Sequence, residues 1–201
     1  MAFGNQSRPA RRIGSRLPIA IVLALVVLGG YWMRSSTNPV TGRTQHIAIT
    51  PEQEVAIGLQ SAPEMARQFG GLSTDDKASA WVRQVGRDIV SALPPDSPRY
   101  QFEYHLLADR QTVNAFALPG GQIFITEALL SRLKTEGQLA GVLGHETGHV
   151  LGRHSAERMA KAELAQGLAG AAGVAASDES AGSGRTTAQI AGMIGNFVLL
   201  K

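Results

Sequence analysis

After residue 50, apolar residues recur along much of the chain at spacings that predict a mainly helical domain. Thr50 and Gln53 match the pattern of a helix-capping box, and Pro51 suits the first helical position. A first helix is therefore predicted from Thr50 to about Phe69. Pro63 is expected to break or kink it, because proline removes one backbone hydrogen bond.

A second helix and three short strands are predicted next. Apolar residues recur at helical spacing over residues 75–93, and two prolines follow them. Residues 100–108, 113–118 and 122–126 are rich in apolar and aromatic residues and predict strands. A Leu-Pro-Gly-Gly turn joins the last two strands.

The following segments return to helical patterns. Residues 127–133 predict a short helix. Thr135 with Gln138 matches a second capping box, which opens a helix predicted to run through about Met159.

The last part of the chain is rich in small residues, namely alanine and glycine. Residues 167–184 are predicted to form a flexible loop or a loosely packed helix, because glycines dilute the alanines. Residues 186–200 show an apolar helical pattern again. The predicted fold class is α+β, mostly helical, with a small antiparallel sheet beside the helix that Thr135 opens.

The N-terminal segment predicts a membrane anchor. Residues 17–33 carry no charge, and four arginines precede them within residues 1–16. Such an arrangement predicts a transmembrane helix with a cytoplasmic N-terminus. A cleaved secretory signal and a buried core helix are the alternatives. Residues 34–49 are predicted to be a linker and residues 50–201 the functional domain.

Composition narrows the class of protein. The chain has 201 residues, 44% of them apolar and 17% charged, a net charge of +3 and no cysteine. These values describe a globular chain without disulfides, thiol ligands or a lipid-modified cysteine. No basic stripe with interleaved aromatic residues is present, so a nucleic-acid partner is not expected.

The candidate chemistry lies in the stretch His145-Glu146-Thr147-Gly148-His149. Residues four apart share one face of a helix, so the two imidazoles can bind one zinc ion at about 2.0–2.1 Å. Glu146 lies one position round the helix and can take a proton from the attacking water. It can then deliver that proton to the leaving amine of a peptide bond.

His154 is a less favoured ligand. It follows His145 by nine residues, which is roughly half a turn away on a continuous helix. Unless the helix breaks at Gly152, His154 points away from the metal, so a structural or supporting role is predicted. His46 and His105 have no partner at ligand spacing and are expected to be ordinary polar residues.

Four stretches together resemble one family of enzymes. They are Asn114 to Gly121 (NAFALPGG), Glu127 to Leu130 (EALL), His145 to Val150 (HETGHV) and Arg153 to Arg158 (RHSAER). In combination they are similar to membrane-associated zinc metallopeptidases related to CAAX prenyl proteases and HtpX, closest to the periplasmic branch. The resemblance covers residues 50–200.

The resemblance implies a zincin-like fold of the gluzincin type with one Zn²⁺ per subunit. It implies that the strand formed by Asn114, Ala115, Phe116 and Ala117 edges the active-site cleft and binds extended substrates by strand addition. It also implies a third ligand from a downstream Glu-x-x-x-Asp motif. No such motif follows His149, so a C-terminally truncated chain is expected.

These observations predict a zinc metalloendopeptidase that hydrolyses unfolded or misfolded envelope proteins. Its expected location is the bacterial inner membrane with a periplasmic catalytic domain, or the periplasm if a signal is cleaved. The alternatives are a membrane-tethered, non-catalytic protein that binds unfolded chains, and an inactive fragment that lacks the third ligand.

Overall fold

The computed structural model of the chain describes residues 17–98 and 100–176, which belong to two compact units. The larger unit spans residues 34–160, and the smaller one includes residues 17–33 and 161–176. The predicted cytoplasmic segment 1–16 and the predicted helix 186–200 lie outside the described residues. The elements are α1 (Leu17–Met33), β1 (Ser35–Thr37), β2 (Thr44–His46), α2 (Pro51–Gln68), α3 (Asp76–Ser91), β3 (Glu103–Leu107), β4 (Ala115–Ala117), β5 (Gln122–Thr126), α4 (Glu127–Leu130), α5 (Glu136–Leu151) and α6 (His154–Ala176).

The sheet at the centre of the larger unit has three strands in the order β3-β5-β4. β5 is buried along its whole length, runs parallel to β3 and antiparallel to β4. The predicted antiparallel pairing is therefore confirmed for β4 and β5 and wrong for β3 and β5, because the chain visits the far edge at β4 before it returns to the middle. Strand order depends on such contacts between distant segments, which a local pattern does not encode.

Helices α3 and α5 pack against this sheet. α3 contributes Val82 and Val85 to the core, and α5 contributes Leu139 and Leu143, all almost completely buried. The apolar spacing that predicts both helices is thus the spacing of their core-facing sides.

Helix α2 begins and ends close to the predicted bounds, and its capping box at Thr50 and Gln53 is present. It continues through Pro63, so of the predicted break or kink the break is wrong. A turn at Pro119–Gly121 packs against this helix. There Gly120 has a φ of 79° and lies directly against the backbone of Val55, so a side chain would fit neither the conformation nor the space.

The helix predicted over residues 135–159 is two helices. α5 ends at Leu151, and α6 starts at His154 after a turn in which Arg153 has a φ of 52°. The described part of the glycine-rich segment, up to Ala176, is helical, which agrees with the second of the two predicted alternatives.

The predicted linker contains structure of its own. β1 and β2 pair as an antiparallel hairpin within the larger unit. The Ser, Thr, Asn, Pro and Gly residues that suggested a linker are also common in a short polar hairpin.

The predicted transmembrane segment forms α1 in the smaller unit. In the part of the chain that the structure describes, no helix is both long and apolar enough to cross a membrane, and the predicted anchor is not supported. Within this unit, Gly167 of α6 lies against the side chain of Val27 of α1.

Candidate metal centre and substrate groove

The side chains of His145 and His149 face each other from successive turns of α5. Their Nε2 atoms are 3.0 Å apart, and the two rings are almost perpendicular. Two ligands held tetrahedrally by one zinc ion at 2.0–2.1 Å would be roughly 3.3 Å apart. The donor set and its spacing therefore fit a shared divalent cation.

The core-facing side of α5 explains why the two imidazoles point outward. Thr147, halfway between them in sequence, is buried on the opposite side of the helix. Its Oγ1 donates to the carbonyl oxygen of Leu143 and lies 2.9 Å from the hydroxyl of Tyr104 on β3. This contact fixes the rotation of α5 about its axis relative to the sheet.

Glu146 is half-buried beside the two histidines. Burial raises the pKa of its carboxyl group above the ordinary value, and the charges of His149, His145 and Arg158 oppose the rise in part. A carboxylate with a raised pKa is a better proton acceptor, which is the property that a general base needs.

A third ligand is not part of the described arrangement. Among residues 17–98 and 100–176, no three His, Asp, Glu or Cys side chains are grouped so that they could hold a metal ion. In this part of the chain, His145 and His149 are the candidate metal-binding groups.

His154 lies behind His149 rather than beside the proposed ion. Its Nδ1 is 2.5 Å from Nδ1 of His149, on the side of that ring away from Nε2. Burial, followed by the charge of His149, lowers the pKa of His154 below its ordinary value. The break at Gly152, on which the sequence-based placement of His154 depended, brings it into this position. His105 bonds to Gln122 and stacks on Phe124, away from the proposed site.

A buried ion pair holds the turn between α5 and α6, and the sequence pattern does not predict it. Arg153 Nε donates to Glu54 Oε2 at 2.9 Å, and Arg153 Nη2 donates to the carbonyl oxygen of Ile49. Tyr100 donates its hydroxyl to the same oxygen of Glu54. Burial raises the pKa of Glu54, although Arg153 and Tyr100 oppose the rise. A glutamate inside the first turn of α2 gives no local signal of a partner 99 positions away.

An open groove of about 760 Å³ runs beside the proposed centre. Its lining includes the polar side chains of His145 and Glu146 and the apolar side chains of Leu129, Leu133 and Val142. The remaining lining residues are Val113, Asn114, Ala115, Arg132, Gln138 and Gly141.

The four predicted substrate-binding residues lie in different surroundings. Asn114 and Ala115 line the groove, whereas Ala117 lines a small cavity next to His149. Phe116 packs between Phe69 and Phe124, with ring centroids 5.2 and 5.1 Å away, so its side chain supports the strand.

The hydrogen-bond register of β4 leaves backbone groups for a further strand. Leu118 N donates to Gln122 O and Thr126 N donates to Asn114 O. Bonded pairs alternate along an antiparallel ladder, so the N–H groups of Ala115 and Ala117 point away from β5. β4 is the edge of the three-stranded sheet.

The glycines of the motif helix do not serve close packing. A side chain at Gly141, Gly144 or Gly148 would meet no described atom within 4 Å. These glycines lie on the open side of α5, which also carries His145.

Comparisons with known proteins agree on one family. The sequence model of Peptidase family M48 matches residues 76–200, more than half of the chain. The mitochondrial metalloendopeptidase OMA1 of Schizosaccharomyces pombe is 31% identical over 141 residues, which are 68% of this chain and 41% of that protein. The beta-barrel assembly-enhancing protease of Escherichia coli K12 is 27% identical over 145 residues, 70% of this chain and 29% of that protein.

A second protein named as a beta-barrel assembly-enhancing protease, from Yersinia pestis, is 31% identical over 121 residues, 60% of this chain and 24% of that protein. The chain spans less than half the length of these relatives. Their names support the peptidase family, while the predicted branch of CAAX prenyl proteases and HtpX stays a prediction.

Proposed function

Because the chain belongs to peptidase family M48, we propose that it is a zinc-dependent metalloendopeptidase. His145 and His149 bind the metal ion, and Glu146 is the general base. The observation that carries the proposal is the 3.0 Å approach of the two Nε2 atoms on a helix whose His145 and Glu146 line an open groove.

The chemistry divides between the metal ion and the protein. A zinc ion bound by the two histidines would polarise the scissile carbonyl and make water more acidic. Glu146 takes the proton of the attacking water, and its raised pKa favours this transfer. The same carboxyl group then gives the proton to the departing amine, which restores the carboxylate.

The proposed substrates are unfolded or misfolded polypeptides. The outward N–H groups of β4 offer backbone hydrogen bonds to an extended chain, and these bonds do not depend on its side chains. Such recognition requires that about a strand's length of substrate is free of its own secondary structure. The likeness to proteases named for beta-barrel assembly supports the bacterial envelope as the place of action.

A second candidate is a non-catalytic protein that holds unfolded chains at the same edge strand. The two-histidine donor set of the described residues favours this candidate, because catalytic zinc sites use three protein ligands. An inactive fragment would behave in the same way in an activity assay, and a binding assay with unfolded casein separates the two.

Digestion of casein, with and without a chelator, tests the proposal. Glu146→Gln keeps the size of the side chain and removes the base. Glu136→Gln on the same helix is its matched control, because Glu136 serves only as an acceptor for Trp81 Nε1 in the described contacts. We expect digestion by the wild type and the control, loss in Glu146→Gln, and loss with the chelator.

Equal digestion by Glu146→Gln and the wild type would refute the role of Glu146. Casein binding without digestion by any variant would favour the non-catalytic candidate.

A further inference from the structure

We propose that His154 is a positioning residue for His149. Its Nδ1 accepts the hydrogen bond of His149 Nδ1–H and thereby leaves Nε2 of His149 free to bind the metal ion. The inference rests on the proposed metal site but not on catalysis, since it concerns the orientation and tautomer of a ligand.

The two ring nitrogens of His149 have different surroundings. Nε2 faces Nε2 of His145 at 3.0 Å, and Nδ1 faces Nδ1 of His154 at 2.5 Å. A neutral imidazole carries one proton, and a nitrogen that binds a metal ion must offer its lone pair. The proton of His149 therefore belongs on Nδ1, where it needs an acceptor, and His154 supplies one.

The position of His154 depends on the break between the helices. On a continuous helix, His154 would lie about 140° round the axis from His149. The left-handed conformation of Arg153, with a φ of 52°, turns the chain back so that the two rings meet with centroids 4.8 Å apart. Gly152 leaves space for this return, because a side chain there would lie 2.7 Å from His154 Nε2.

Contacts from three other parts of the larger unit hold the turn. Glu54 of α2 pairs with Arg153, and Ile49 accepts a second hydrogen bond from the same guanidinium group. Asn38 and Gln45 of the hairpin segment donate to the last carbonyl groups before the turn. A left-handed arginine is unfavourable by itself, so these contacts stabilise a conformation that the local sequence disfavours.

Two variants of nearly equal size test the proposal. In His154→Asn, the Oδ1 atom can occupy the position of the histidine Nδ1 and accept the hydrogen bond. His154→Leu fills a similar volume and has no acceptor. The affinity of the whole chain for Zn²⁺ is measured by competition with a chelating dye, and the tautomer of His149 is measured by ¹⁵N NMR.

We expect His154→Leu to weaken Zn²⁺ binding by roughly 10- to 100-fold, as for other lost partners of metal-binding histidines. His154→Asn should keep most of the affinity. The wild type and His154→Asn should hold His149 with its proton on Nδ1, and His154→Leu should show a mixture of tautomers.

Wild-type affinity in His154→Leu, or equal weakening in both variants, would overturn the proposal. If His154→Leu does not fold, the spectrum of the zinc-free wild type still decides, because a proton on Nε2 of His149 there contradicts the proposal. If the wild type digests no casein but the two variants differ in Zn²⁺ affinity, the proposed activity fails and the positioning role stands.

Discussion

Gln45 donates a hydrogen bond of 2.6 Å from its Nε2 to the carbonyl oxygen of Gly152, which joins a hairpin near the start of the domain to the end of the motif helix. Asn38 makes the equivalent contact, of 3.0 Å, with the carbonyl oxygen of Leu151. The last carbonyl groups of a helix have no partner within it, and both amides are buried. The hairpin therefore caps α5 at the point where the chain must turn.

Gln45→Ala should lower the free energy of unfolding by about 1–3 kcal/mol, because it leaves a buried carbonyl group without its donor. Thr44→Ala, at the exposed neighbouring position, should change it by less than about 0.5 kcal/mol. Denaturant-induced unfolding, followed by circular dichroism, measures both. If the two variants are equally stable, the hairpin is not a cap.

The contact between Glu54 and Arg153 predicts how the stability of the protein changes when the side chain of Glu54 or only its charge is removed. Glu54→Ala removes the acceptor of both Arg153 and Tyr100, and we expect a loss of about 3–5 kcal/mol in the free energy of unfolding. Glu54→Gln keeps an acceptor and removes the charge. This variant should therefore be destabilised less than Glu54→Ala at pH 7, because it keeps an acceptor for Arg153 and Tyr100.

The raised pKa of Glu54 predicts the direction in which the stability of the folded protein changes with pH. Because the folded protein binds the proton of Glu54 more tightly than the unfolded chain does, this group's stabilising contribution is complete below the ordinary pKa of 4.5. It is lost as the pH rises through the raised value. The stability of the wild type relative to Glu54→Gln should thus fall between pH 4 and pH 7. A relative stability that rises over this interval would contradict the raised pKa.

A comparison of two helical glycines tests how the motif helix is held. Gly86 of α3 lies against the ring of Tyr104, whose hydroxyl bonds to Thr147. Gly86→Ala should therefore destabilise the protein by about 1–3 kcal/mol through overpacking. Gly144→Ala, where the added methyl group meets no described atom, should stabilise it by about 0.5–1 kcal/mol through helix propensity. Thermal unfolding of the two variants gives opposite shifts of Tm, and shifts of the same sign would contradict this packing.

The sequence predicts those features that depend on neighbours along the chain. The capping box at Thr50, the N-cap hydrogen bond of Thr135 and the core-facing residues of α5 are local patterns, and the structure contains them. The second predicted capping box is only half present, because Gln138 accepts from Lys134 N instead of Thr135 N. The close approach of His145 and His149 follows from the helical repeat alone. Their metal binding and the role of Glu146 stay predictions.

Features that depend on contacts between distant segments could not be predicted from the sequence. The end of α5 at Leu151 gives no strong local signal, because Arg153 takes a conformation that few non-glycine residues adopt. It depends on Glu54, Asn38 and Gln45, which lie about a hundred residues earlier. The parallel pairing of β3 with β5 could not be predicted for the same reason, since strand order is set by packing.

The edge strand β4 makes the last prediction, about substrate binding. The N–H group of Ala115 points away from β5, and Ala115 lines the groove, so Ala115→Pro removes one hydrogen-bond donor to a bound chain while the pairing with β5 is retained. Loss of one such bond costs about 1 kcal/mol, which corresponds to roughly a fivefold rise in KM for casein-derived peptides with little change in kcat. Ala115→Val keeps the N–H group and favours a strand, so it is the matched control and should leave KM near the wild-type value.

A substrate peptide methylated at alternate backbone nitrogens should lose affinity for the wild type in the same way. If Ala115→Pro folds and binds the unmethylated peptide as tightly as Ala115→Val does, substrates do not add to the sheet at β4.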